Sequence, residues 1–168
     1  MATCNACNTS LSVTNNQITK PVQCSVSALL GADKNNVTGD GTAYTLAGWT
    51  NVLSNIGGYF NATTGIFTAP VTALYTVDIT IFFNVPTSIN EEVSYIVTTS
   101  RNYIFSCFPE RKRCSNFYGP NTWITDPASY LINMNQGDTL YIVNKASGSA
   151  TKTGSVIKYS RLSIDLLQ

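Results

Sequence analysis

The stretch G-Y-F-N-A-T-T-G-I-F-T-A-P-V-T-A-L-Y-T-V, residues 58–77, decides the fold class. Its second half opens a run to Phe83 in which Val71, Ala73, Tyr75, Val77, Ile79, Ile81 and Phe83 fall at strict period two. Thr72, Thr76, Asp78 and Thr80 take the alternate positions. A helix would set Asp78 and Thr80 in the same arc as Val77 and Ile81, so the run reads as a strand with one buried face. Ahead of it, Gly65 suits a turn with positive φ between two short strands. Pro70 lacks a backbone donor and fits a strand end or an edge. Phe67 and Tyr75 are large enough to fill the space between two sheets.

The flanking sequence has the same texture. V-Q-C-S-V-S-A-L-L, residues 22–30, reads as a first strand with Val22, Cys24, Val26 and Ala28 on one face. G-A-D-K-N-N-V-T-G-D-G-T, residues 31–42, reads as a turn cluster in which Gly39 and Gly41 take positive φ without steric cost. Shorter strand-like runs follow at 93–99, 102–108, 139–144 and 156–167. In the last, Leu162, Ile164 and Leu166 alternate with Arg161, Ser163 and Asp165. No segment carries an apolar stripe at helical spacing. About eight to ten strands separated by Gly, Pro and Asn turns predict an all-β chain, an antiparallel β-sandwich of jelly-roll or Greek-key topology. Residues 1–20 are Asn/Thr/Ser-rich without periodicity and read as an N-terminal polar arm, which leaves 21–168 as one jelly-roll domain.

Composition narrows the function. Ten basic and nine acidic residues give a net charge of +1 among 168, so the electrostatic footprint expected for nucleic acid or an anionic membrane is missing. There is no histidine, which removes the usual general base near neutral pH and the commonest metal ligand. No run approaches the ~18 apolar residues needed to span a bilayer. M-A-T-C-N-A-C-N-T-S lacks the basic and apolar regions of a secretory signal, so the chain is expected either to fold where it is made or to have had a leader replaced.

Residues 58–77 resemble the signature of the globular head of the complement subcomponent-q family, within the tumour necrosis factor-like jelly-roll superfamily. That signature runs Y-N-x-x-T-G-x-F-T-A-P-x-x-G-x-Y-x-F. Asn61, Thr64, Gly65, Phe67, Thr68, Ala69, Pro70 and Tyr75 match it in order, while Ala73 stands where the family has glycine. A second block is similar: Leu131 leads to Gly137, Asp138 and Leu140, and Ser163–Leu167 closes the domain, with S-I-D in place of the family's final aromatic strand. The resemblance spans about residues 22–167 and implies a compact, non-enzymatic homotrimer. Nine tyrosines, seven phenylalanines and two tryptophans are compatible with aromatic anchors at an interface. The run N-V-T-G-D-G-T-A-Y-T-L, residues 36–46, also looks like stretches of jelly-roll modules in phage and large-DNA-virus particles. Neither a collagen-like Gly-X-Y run nor a secretory signal accompanies it. These resemblances imply a structural or attachment protein of a virion, with capsid proteins or a host-surface glycan or receptor as partners. The alternative is a secreted, extracellular ligand-binding head of the complement or tumour necrosis factor type.

The chemistry candidates are few. Cys4 and Cys7 have the spacing of half a zinc knuckle, but the only other pair, Cys107 and Cys114, lies across a longer gap, so no metal and no cofactor is assigned. Cys107 and Cys114 flank a short loop and are candidates for a disulfide in an oxidising compartment. Cys4 and Cys7 are candidates for a tether or an inter-chain cross-link, against free thiols in the arm. Arg111, Lys112 and Arg113 form the one basic cluster, either a solvated hairpin tip or a contact loop for an acidic glycan or a capsid neighbour. Asp33, Asp40, Asp126 and Asp138 lack the D-x-D-x-D spacing of a calcium loop. Asn8, Asn36 and Asn61 have the form of glycosylation acceptors and are expected to be unmodified without entry to a secretory pathway. No nucleophile–base pairing marks an enzyme.

Overall fold

A computed structural model describes residues 12–14, 17–19, 23–86, 89–109 and 122–167. Every regular element among them is a strand: β1 (Ser12–Thr14), β2 (Gln17–Thr19), β3 (Ser25–Leu29), β4 (Lys34–Thr38), β5 (Ala43–Thr45), β6 (Asn51–Ile56), β7 (Phe60–Asn61), β8 (Ile66–Thr68), β9 (Ala73–Val85), β10 (Glu91–Thr98), β11 (Asn102–Pro109), β12 (Thr122–Met134), β13 (Thr139–Ser147), β14 (Gly154–Val156) and β15 (Arg161–Leu166). All pairings are antiparallel. One sheet runs β11-β10-β13-β8-β7, with β5 joined to β13; the other runs β4-β14-β9-β15-β3-β6, with β12 along the remaining side of β9. Within the stretch read as a polar arm, β1 and β2 pair as a hairpin and form a sheet of their own.

The core lies between the two sheets and is built by the expected alternation. Tyr75, Val77, Ile79, Ile81 and Phe83 on β9 are buried, as are Val26 and Ala28 on β3 and Leu162 and Ile164 on β15. Phe67 and Tyr75 meet edge-on with ring centroids 5.6 Å apart, and both are fully buried. The Tyr75 hydroxyl donates to the Val71 carbonyl at 2.7 Å, so its polar end is paired inside the core.

The signature residues act as fold determinants. Gly65 closes the β7–β8 turn at φ +74°, and a Cβ there would lie 2.2 Å from the Leu46 carbonyl oxygen. Asn61 caps the same turn, its Oδ1 accepting from the backbone N–H of Thr63 and Thr64 at 3.1 Å each. The two sequence blocks also meet. Ala69 N–H donates to the Asp138 carbonyl at 2.8 Å, and Gly137 N–H donates to the Ala69 carbonyl at 2.9 Å. Ala73 replaces the family's glycine at the start of β9 without requiring left-handed backbone.

Several segments differ from the sequence reading, among them β5 and β6, which the sequence reading does not give as strands. Residues 34–38, inside the expected turn cluster, form β4; it is a short edge strand, so it lacks the two-faced pattern that would reveal it. The terminal run is broken at Ile157–Ser160, where Ser160 N–H bonds the Ile157 carbonyl in a turn that splits β14 from β15. The long β12 carries Pro127 in its middle, opposite Thr80. A proline is tolerated there because β12 pairs β9 and leaves its other flank without a partner strand among the described residues.

β10 reverses the usual polarity of a half-buried strand. Glu92, Ser94, Ile96 and Thr98 face the core, while Tyr95 and Val97 face away and are half-buried. Three of the four inward groups are therefore polar, and two of them, Glu92 and Ser94, converge on Asn144 of β13, the register partner of Ser94.

Candidate functional site

Most of the predicted site residues lie outside the described residues: Cys4, Cys7, Arg111, Lys112, Arg113 and Cys114. Cys107 sits on β11 opposite Val93, with its side chain also outside. Of the four aspartates considered for calcium, Asp126 is on β12 and the other three accept backbone N–H groups in separate places. Asp33 Oδ1 accepts from Lys158 N–H at 2.8 Å, Asp40 Oδ1 from Thr42 N–H at 2.9 Å, and Asp138 Oδ2 from Asn135 N–H at 2.9 Å. The Thr42 hydrogen bonds hold the Asp40 carboxyl below the ordinary range. Among the described residues no group of three or more His, Cys, Asp or Glu side chains gathers at one point.

The polar cluster between the sheets was not foreseen. Ser94 Oγ donates to Glu92 Oε1 at 2.7 Å, and Asn144 Nδ2 reaches both Glu92 Oε1, at 3.4 Å, and Ser94 Oγ. A serine hydroxyl on a carboxylate has the elements of a nucleophile and a base. Here all three residues are fully buried and present no face to a substrate. Asn144 Oδ1 has no partner, a cost that the rest of the core carries. Alternation alone could not have shown the cluster, because period two does not say which face is the inner one.

Cys24 is a free cysteine and is buried. Burial, with Asp165 adding to it, pushes its thiol up to about 11, so it stays protonated and inert near neutral pH. A shallow cleft of about 740 Å³ lies over the β7–β8 hairpin, lined by Tyr59, Asn61, Thr64 and Ile66 among others. Asn61 Oδ1 is already committed to the turn, which leaves no convergent set of polar groups there.

What the fold offers instead is surface. On the outer side of the seven-stranded sheet, Ser54, Ser27, Ser163, Asp78 and Ser129 stand opposite one another across five strands. The next row is Ile56, Ser25, Asp165, Thr76 and Leu131. Apart from Ile56 and Leu131, which are large and exposed, these side chains are short or small. At its β12 edge Leu131 is 61% exposed. Beside it the Tyr130 ring packs at a tilt against Tyr103 of β11, centroids 5.7 Å apart, and its hydroxyl donates to the Ile104 carbonyl at 2.7 Å. This aromatic pair closes the open side of the sandwich where the two sheets approach.

The fold has well-defined neighbours among solved structures. The globular domain of a zebrafish complement 1qA protein aligns with a TM-score of 0.58 at 14% identity, over 88% of this chain and 98% of that one. The Eiger tumour necrosis factor of S. frugiperda aligns with a TM-score of 0.58 at 11% identity, over 87% and 93%. Murine APRIL aligns with a TM-score of 0.52 at 11% identity, over 87% and 100%. No family model matches the sequence, and no curated protein matches it. At these identities the likeness establishes architecture: the chain folds as an antiparallel jelly-roll sandwich of the complement-q and tumour necrosis factor type.

Proposed function

We propose that the protein is a non-enzymatic, homotrimeric jelly-roll module that works by presenting surface, as a structural or attachment protein of a virus particle. The observation that carries the trimer is the pairing of two surfaces on one molecule. Tyr103, Tyr130 and Leu131 make an aromatic and aliphatic edge, and the neighbouring sheet face is built mostly of short side chains. The edge of one copy packs on that face of the next, a head-to-tail contact that closes after three. The polar arm and the loop carrying Arg111, Lys112 and Arg113 then supply contacts to a capsid protein or a host-surface glycan, with Cys4 and Cys7 as the tether or cross-link. The arm-less remainder, 21–168, is the trimerising domain.

The second reading is a secreted ligand-binding head. It is favoured by the complement and tumour necrosis factor proteins whose architecture the chain shares. Light scattering separates the assembly question from the setting. A mass near three times 18.2 kDa, falling to one in Leu131→Asp, supports the trimer, and a monomeric wild type refutes it. Co-sedimentation with purified particles, lost on deletion of residues 1–20 while the fold is kept, supports the virion setting. Failure of the full chain to bind particles favours the secreted head.

A further inference from the structure

We propose that, when the chain is routed through a secretory pathway, Asn61 carries an N-glycan whose first sugar seats on Tyr59. N-A-T, residues 61–63, has the acceptor form Asn-x-Thr, and the β7–β8 hairpin presents it at its turn. The turn fixes the acceptor amide. Asn61 Oδ1 accepts from the N–H groups of Thr63 and Thr64 at 3.1 Å each, and Gly65 N–H closes on the Asn61 carbonyl at 2.8 Å. With the oxygen held, the plane of the amide is set, and so is the direction of Nδ2. Asn61 itself is exposed. Glycosylation leaves the cap intact. The C1–O bond between a sugar and its lipid-diphosphate carrier breaks and a C1–Nδ2 bond forms. The lipid diphosphate leaves with the bonding electrons, and Nδ2 gives up one proton. The product is a secondary amide whose oxygen still accepts both backbone N–H groups.

Tyr59 supplies the seat. Phe60 between the two residues is buried, so Tyr59 and Asn61 turn to the same outer side, about 6.6 Å apart along the chain. Both line the shallow cleft, together with Ile66, the register partner of Asn61, and the hydroxyl-bearing Thr64 and Thr68. Tyr59 is half-buried, and one edge of its ring rests on Gly57, where a Cβ would stand 2.2 Å from Cε2. Main chain thus fixes where the ring sits. The C–H groups on one face of a pyranose carry slight positive charge and pack on the negative face of an aromatic ring. The cleft lacks the converging polar groups that would hold a free sugar. A tethered sugar needs none, because attachment supplies its effective concentration. Asn36, the other acceptor among the described residues, is built differently. Lys34 stands two residues before it, its own φ is +53°, and the Thr38 hydroxyl is committed to the Thr42 carbonyl and the Ala146 N–H. β7 and β11 are opposite edges of one sheet, so the Asn61 strand is not the one that carries Tyr103 of the proposed trimer contact. The inference rests on neither reading of function above.

The full chain is expressed behind a cleavable secretory leader in cultured mammalian cells held to high-mannose glycans. Glycopeptides are mapped from cells and medium together, so that retention does not hide the result. Asn61 is expected to carry glycan. The seat is tested by melting. Thr63→Ala abolishes the acceptor but keeps Asn61 and both N–H groups of its cap. The melting difference between wild type and Thr63→Ala is measured twice, on secreted protein trimmed to the first sugar and on bacterially made protein without glycan. The first difference is expected to exceed the second by about 2–4 °C, the shift that one aromatic contact gives a chain of this length. Tyr59→Ala cuts that excess by at least half. Tyr59→Leu, which keeps an apolar side chain in place of the ring, does the same and serves where the alanine variant fails to fold. An unmodified Asn61 in cells and medium overturns the proposal and leaves both readings of function untouched. A glycan at Asn61 that brings no excess, or an excess that survives loss of the Tyr59 ring, also overturns it. A monomeric wild type counts against the trimer alone.

Discussion

Replacing Tyr75 tests the core and the facing of β9 together. Its ring is fully buried against Phe67, and its hydroxyl bonds the Val71 carbonyl at 2.7 Å. Tyr75→Ala removes the ring and leaves a cavity, which costs ~3–5 kcal/mol for a large aromatic. It also strands the Val71 carbonyl, at a further ~1–3 kcal/mol unless water enters. The sum is about 4–8 kcal/mol, against a total of roughly 5–15 kcal/mol for a domain of this kind. The variant therefore sits near the edge of folding. Tyr75→Phe keeps the ring and removes only the hydroxyl, so it is expected to cost ~1–2 kcal/mol. Urea unfolding of both variants and the wild type, at constant m value, measures the two contributions separately. A double-mutant cycle with Phe67→Leu should return a coupling of ~0.5–1.5 kcal/mol for the edge-on pair. A loss below about 1 kcal/mol for Tyr75→Ala would refute the facing of β9 and with it the placement of the signature residues in the core.

Further outcomes follow from single features. Gly65→Ala puts a Cβ 2.2 Å from a backbone carbonyl at positive φ, and a loss of at least ~2 kcal/mol is expected in thermal unfolding, larger than for Gly41→Ala, where nothing lies within 4 Å. Asn144→Ala removes donors from Glu92 and Ser94, with an expected cost of ~1–3 kcal/mol by denaturant titration. Cys24 is raised from 9.0 to about 11, so the thiol ionises more readily in the unfolded chain than in the folded one. Its contribution is intact below pH 9 and is lost as the pH rises through about 11, a decline of ~2–3 kcal/mol. Tyr75, raised in the same sense by burial, adds to this alkaline loss. Cys24→Ala should flatten that part of the stability–pH curve, and Ellman's reagent should react with Cys24 only on unfolding.

The elements most legible in the sequence are those with one face in the core and one in solvent. β9, β3 and β15 declare themselves because short polar residues such as Thr76, Ser27 and Ser163 alternate with buried apolar ones. The signature residues were legible for a related reason: Gly65 and Pro70 have backbone requirements that few other residues meet. β4 stayed hidden because K-N-N-V-T pairs irregularly at an edge, with Asn36 at φ +53°. The polarity of β10 was beyond reach, since alternation alone would turn Val93, Tyr95 and Val97 inward. The structure instead turns Glu92, Ser94 and Ile96 inward, because Asn144 waits across the ladder to receive the first two. A polar inner face is intelligible only when its partner strand is known, and partner strands far apart in sequence are what a single chain of letters withholds.

The proline at the middle of β12 limits how this protein can grow. A thirteen-residue strand whose second flank has no partner strand among the described residues is a template on which another chain could add, copy after copy, into a fibril. Continuous addition needs an amide hydrogen at every second residue, and Pro127 interrupts that series. An added strand therefore cannot pair along the full length of this edge, which favours contacts made by side chains.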